Sequence, residues 1–302
     1  MNDSISSDLL LAELSALTPI SSPPLNPANN PFYNPNFFDL NFDPVIPDAV
    51  ELTPRLLTGF VGGLRALAGN DVVKGSVDSE LINGNAGTDS IFGSGGNDVL
   101  LGGRDMDILF GGAGNDTLNG NKDNDYAYGE EGNDFVRGGQ GNDNLVGGAG
   151  NDTLIGDFGI DKLWGSEGAD LFVLRRKTAA PAQEIGSAQP PSGNIFDGVV
   201  DEIPADFILD YNAAQGDALA LTGGLTVNDI ILTERFLTIG DARDYDSSGP
   251  FLPWMIRTLE FRIENITATI ISEASTGKIL GLVKEVSPED LQFITVADSA
   301  LT

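Results

Sequence analysis

The stretch Gly111-Gly112-Ala113-Gly114-Asn115-Asp116-Thr117-Leu118-Asn119 decides the fold. Its first six residues are dominated by Gly, Asn and Asp, which bend the backbone and tolerate positive φ. Its last three are β-formers, and alternation along a strand sends Leu118 to one side and Thr117 and Asn119 to the other. The same nine-residue unit runs twelve times from Ala66 to Val173 without insertion or deletion. Glycine opens eleven units, at Gly75 and every ninth residue to Gly165, and Ala66 opens the first. The sixth place is aspartate in eleven units, with Glu80 the substitute, and the eighth is apolar in all twelve, from Val73 to Phe172.

Period nine, half turn and half strand, is the signature of a solenoid. One short strand buries nothing alone. Two turns and two strands, eighteen residues, close a coil in which eighth-place side chains meet between two parallel sheets. Six coils at roughly 4.8 Å per strand make an all-β rod about 30 Å long. The ninth places alternate in character: Phe92, Phe110, Tyr128, Val146 and Trp164 in one set, Asn83, Leu101, Asn119, Arg137, Ile155 and Val173 in the other. They are predicted to face outward. The Phe92/Phe110/Tyr128/Trp164 ladder reads either as cross-strand stacking or as an interface covered by another part of the chain or by a second copy.

Stacking the turns brings carboxylates to the same height in every coil, where they repel. A divalent cation reverses the sign of that interaction. Calcium takes six to eight hard oxygen ligands, and a glycine-rich turn can aim carbonyls beside each carboxylate. The candidate metal ligands are Asp71, Asp89, Asp98, Asp107, Asp116, Asp125, Asp134, Asp143, Asp152, Asp161 and Asp170, with Asp78, Asp105 and Asp123 two places earlier in their units. Each site would share an Asp from one unit and one from the next but one. Asp78 is expected to compensate for Glu80, and the irregular first coil to bind calcium poorly.

The unit at Gly111 to Asn119, repeated from Gly147 to Ile155, resembles G-G-x-G-x-D-x-U-x, the nonapeptide of the repeats-in-toxin (RTX) family of secreted calcium-binding proteins. The resemblance implies a right-handed parallel β-roll, Ca2+ in the turns, and an extracellular or cell-surface location reached by type I secretion. Ala205 to Tyr211 and Gly216 to Leu221 also resemble the segment that closes β-rolls in this family. By that likeness Asp206, Asp210 and Asp217 hold a further calcium; they read equally as ordinary turn carboxylates. The family's C-terminal secretion signal is compatible with the tail Phe293-Ile294-Thr295-Val296.

Forty-five acidic against sixteen basic residues give a formal charge of −29, which excludes nucleic acid as a natural partner. The metal-free chain is expected to repel itself and to fold as calcium binds. There is no Cys, so no disulfide contributes. With no His, H-E-x-x-H zinc sites, Ser-His-Asp triads and Cys-His dyads are excluded together. No apolar run approaches the ~20 residues of a membrane span.

Residues 1–55 read as a Pro/Asn-rich arm. It opens without the positive charge of a signal peptide, forms a short amphipathic helix over Leu9 to Leu17, and offers Phe32, Tyr33, Phe37, Phe38 and Phe42 to a partner or to the rod. Leu56, Leu57, Phe60, Val61 and Leu64 are expected to cap the end of a rod spanning 56–174. Arg175-Arg176-Lys177 is a basic run without an assigned role, 175–198 a Pro-containing loop, and 199–302 a β-rich C-terminal cap domain. The expected function is calcium binding in a non-enzymatic extracellular structural or adhesive module. The alternatives are a self-assembling subunit of a calcium-dependent surface layer or filament, and a hydrolase with its site in the C-terminal domain.

Overall fold

The computed structural model describes residues 18–20, 37–39, 49–175, 205–239, 264–297, 299 and 301. The expected helix over Leu9 to Leu17, the aromatics Phe32, Tyr33 and Phe42, and residues 176–198 lie outside them.

Successive nonapeptides alternate between two parallel sheets. Thr117–Lys122 pairs with Phe135–Gln140 on one side and Val99–Gly103 on the other, placing Leu118 beside Val136 and Leu100. In the other sheet Tyr126–Glu131 lies between Ile108–Ala113 and Asn144–Ala149. Neighbours are therefore eighteen residues apart, and residues 64–172 form an all-β solenoid of about six turns. The strands are longer than the three residues expected. They run through the opening glycine to the third place of the next unit because a left-handed residue, such as Asn121 at φ 77°, lets the chain bend while still pairing.

The core is the eighth-place column. All twelve side chains from Val73 to Phe172 are buried between the sheets, continued upstream by Val50, Leu52, Leu64 and Ala66. At about 1.5–3 kcal/mol for each fully buried Leu, Ile or Val, this column is the main metal-independent driving force.

The sheets do not stop where the repeat does. Upstream, Ala49–Leu52 pairs with Val72–Lys74, and Phe38–Asp39 with Leu64–Arg65. Asp39 holds Arg65 through Nε and Nη2 at 2.7 and 2.8 Å, and the guanidinium lies 4.2 Å over the Phe37 ring. Leu56, Leu57 and Phe60 pack against the core and Leu64 enters it, but Val61 is 84% exposed and takes no part in the expected cap. Downstream, Asp206–Ile208 joins Lys162–Glu167, and Ala218–Leu221 joins Leu171–Leu174. Ile279–Lys284 and Phe293–Thr295 then extend the two sheets once more in parallel. Glu264–Glu273 pairs antiparallel with Ile279–Lys284, and Ile230–Ile239 antiparallel with Glu264–Glu273, ending the twelve-stranded sheet. The described C-terminal segments thus continue the two sheets.

The ninth-place aromatics are both stacked and covered. Phe92, Phe110 and Tyr128 stack with centroids 5.1 and 4.9 Å apart, yet they are 1%, 0% and 5% exposed. They are buried within the single chain and present no bare ladder to a second copy. Trp164 is half-buried.

Candidate metal centre in the stacked turns

The turn around Asp116 shows how the sequence builds its oxygen cage. Gly114 holds φ 141°, and a Cβ there would lie 1.6 Å from the carbonyl oxygen of Gly96. At Gly111 a Cβ would lie 2.5 Å from Asp116 Oδ2 and 2.6 Å from the carbonyl oxygen of Gly129 in the next coil. Glycine is required because carboxylate and carbonyl oxygens crowd the space a side chain would fill.

The sixth-place carboxylates form two ladders. In the turns leading into the twelve-stranded sheet, the amides of Asp71, Asp89, Asp107, Asp125 and Asp143 donate to Oδ1 of the aspartate one coil on, at 2.8–2.9 Å. In the other column the amides of Glu80, Asp98, Asp116, Asp134 and Asp152 do the same, at 2.6–2.9 Å. One oxygen of each carboxylate is thereby committed. The other, Oδ2, is buried without a hydrogen-bond partner in Asp89, Asp98, Asp107, Asp116, Asp125, Asp134, Asp152 and Asp170. Desolvation pushes these acids up: Asp89, Asp98, Asp134 and Asp152 to about 7, Asp107 to about 8, Asp125 to about 10, and Asp170 to about 6.

A row of buried, unpartnered carboxylate oxygens is costly for the metal-free fold, since each ion gives up its hydration without receiving a counter-charge. The donor set fits a hard cation: carboxylate oxygens beside glycine carbonyls, with no nitrogen or sulfur ligand. Among the described residues no three acidic side chains converge on one point. An ion between coils would therefore be completed by backbone carbonyls.

The remaining candidates divide. Asp161 continues its column, its amide reaching Asp206 Oδ1 at 3.2 Å, and Asp170 reaches Asp217 Oδ1 at 2.9 Å. Asp105 and Asp123 are exposed and accept the amides of Gly87 and Asp105. Asp78 accepts the amide of Arg55 instead of standing in for Glu80. Glu80 turns back onto its own loop, where both carboxylate oxygens take donors from Ser76. Asp210 accepts the amides of Gly165 and Ser166, both at 2.9 Å, and Asp217 Oδ2 that of Asn212 at 2.8 Å. Asp210 and Asp217 thus have both carboxylate oxygens on backbone amides, while Asp206 keeps the ladder bond.

Two features escaped the sequence reading. The first is a reciprocal asparagine ladder. Oδ1 of Asn97, Asn115, Asn133 and Asn151 accepts the fifth-place amide one coil later, opposite in direction to the aspartates. Its signal was the recurrence of Asn at the fifth place. The second is Asp157, buried beside Arg137 and Arg175, so the first residue of the basic run pairs with the rod. Nothing local in the sequence links residues that distant.

A family model of the RTX calcium-binding nonapeptide repeat, four copies long, matches residues 64–91, 75–109, 101–136, 110–145 and 137–172. No curated protein matches the chain. The stacked aspartates, the glycines that clear space for them and the eighteen-residue coil lie within the matched residues. Residues 64–172 of this chain are therefore matched by the RTX calcium-binding nonapeptide repeat and carry its pattern.

Proposed function

We propose that the protein is a calcium-conditioned structural module that works outside the cell, exported by a type I route, and that catalyses no reaction. Calcium lies between successive turns, held by the sixth-place aspartates from Asp71 to Asp170 and by carbonyls of the turn glycines. Asp78, Asp105 and Asp123 each accept one backbone amide and add their charge to the turns. When bound, calcium supplies the positive charge that the buried carboxylates lack. The chain's own contribution is to hold Oδ1 on an amide and so aim Oδ2 into the interval between coils.

The observation that carries this reading is the row of buried Oδ2 atoms without partners. A metal-free rod retains them as uncompensated charge, whereas a loaded rod pairs them. Each site filled at about ten times its Kd adds about 1.4 kcal/mol, so a few such sites match the stability of a whole domain, about 5–15 kcal/mol. Binding energy then serves as folding energy.

The self-assembly alternative has less support, because Phe92, Phe110 and Tyr128 are already buried. Circular dichroism of the full chain during a calcium titration, reversed with EGTA, tests the proposal. A β spectrum that appears with calcium and is lost on chelation is expected. A spectrum indifferent to both, with no calcium uptake by calorimetry, overturns it.

A further inference from the structure

The turns leading into the twelve-stranded sheet depart from the rest at one place. Where a fourth-place glycine has glycine one coil on, its amide donates to the third-place carbonyl of that coil: Gly69 to Ala86, Gly96 to Ala113, Gly114 to Glu131, Gly132 to Ala149, Gly141 to Phe158 and Gly150 to Glu167, at 2.7–3.1 Å. Gly87 and Asp105 do otherwise. Their amides go to the carboxylates of Asp105 and Asp123, at 3.2 and 3.1 Å. The carbonyls of Arg104 and Lys122 are thereby relieved of the donor that the pattern would assign them.

The same two turns carry Asp107 and Asp125, each 0% exposed and each with a buried, unpartnered Oδ2. At Gly102 a Cβ would stand 2.5 Å from Asp107 Oδ2 and 2.8 Å from the carbonyl oxygen of Gly120 one coil on. Asp107 Oδ2 therefore faces the interval between the two turns. Asp105 and Asp123 add their charges there: both act on Asp107, and Asp123 acts on Asp125. No other interval of the repeat has a fourth-place aspartate on both walls. The neighbouring Arg104 and Lys122 are exposed, where water and salt screen them.

We infer that this interval is the primary cation site of the array. It takes calcium ahead of the other intervals, and a trivalent lanthanide more tightly still, because affinity at oxygen sites rises with the number of charged ligands. Asp107 Oδ2 and the carbonyl of Gly120 form its inner wall, closed by Asp125, whose Oδ1 accepts the Asp107 amide. Asp105 and Asp123, exposed at the rim, complete it by side-chain rotation. The inference rests on the calcium reading above and adds an order of filling to it.

The test uses the full chain and its Asp105→Asn/Asp123→Asn double variant. Asparagine keeps the acceptor oxygen and removes only the charge. Calorimetry with calcium chloride is expected to show one class of site about tenfold tighter than the rest. That class should be lost in the double variant while later binding persists. Wild-type uptake with superimposable isotherms overturns this inference and leaves the calcium reading standing; no uptake overturns the calcium reading itself. If the double variant does not fold, the wild type and its Tyr126→Phe variant decide through terbium: the part of the sensitised emission that Tyr126→Phe removes comes from Tyr126, which follows Asp125 directly. Emission that saturates before total uptake supports an early site there, and emission that tracks total uptake overturns it.

Discussion

The repeat coils and the coils that close them share two sheets but little sequence. Between Gly75 and Gly168 the turns are built from glycine, asparagine and aspartate, and the interval between coils is lined with unpartnered carboxylate oxygens. In the closing coil Asp206 and Asp217 keep the ladder bond to the coil below, yet Asp217 gives its second oxygen to Asn212, and Asp210 gives both of its own to amides. Tyr211 packs tilted against Phe172, ring centroids 6.4 Å apart, and its hydroxyl accepts the amide of Gln292, binding the last coils together. A coil therefore requires an apolar pair of strands and an acceptor for the turn amide. The calcium-demanding arrangement is an addition that the repeat makes and the closing coil omits.

The largest expected effect is calcium removal. Hydrogen exchange after EGTA should show the Asp116 and Asp134 amides losing about a hundredfold or more of protection, as ladder and coil open together. The hairpin amides around Ile271 should lose far less. Equal loss at both would show that the closing segments depend on metal as much as the rod does.

Next come substitutions in the turns. Gly111→Ala places a methyl among the oxygens of Asp116 and Gly129 and should cost about 3 kcal/mol or more in calcium-loaded thermal melts. Gly277→Ala meets no atom within 4 Å and carries only the strain of φ 71°, about 1–2 kcal/mol. In the core, Leu118→Ala and Leu219→Ala, both fully buried, should each cost about 2–5 kcal/mol. Similar values would establish that one core runs through both regions.

Protons should act oppositely on the metal-free and loaded forms. The ladder carboxylates have folded pKa values raised by burial, so the metal-free fold binds more protons than the unfolded chain between about pH 4 and 7. Its stability is fullest below that window and is lost as pH rises through about 7. The loaded form should weaken on acidification, because protons compete with calcium for the same oxygens. Denaturant melts at pH 5 and 7.5, with and without calcium, check both signs.

The smallest effect belongs to Asp217→Asn. Asparagine still accepts the Asp170 amide, so a loss near 1 kcal/mol is expected, with calcium stoichiometry by calorimetry unchanged.

The coil was legible because Leu118 and its equivalents recur every ninth place, and a side chain that must be buried in every unit admits only one periodic solution. The aspartate column was legible for the same reason. The partner of Asp78, the Arg55 amide, was not legible because it lies 23 residues away, and Glu80 folds back onto Ser76 because it has one extra methylene. The ninth-place aromatics were expected outside because alternation only says that they oppose the core.

Sequence alone determined the period, the turn chemistry and the acidic ladder, since each follows from residues recurring at fixed spacing. Tertiary structure decided which oxygen of each aspartate is committed and which is left for a cation. It also decided where the repeat gives way to closing coils and which outward positions are buried. Those depend on contacts across eighteen residues and, at the closing turns, across 45 and 47, where no local pattern reports what the other side presents.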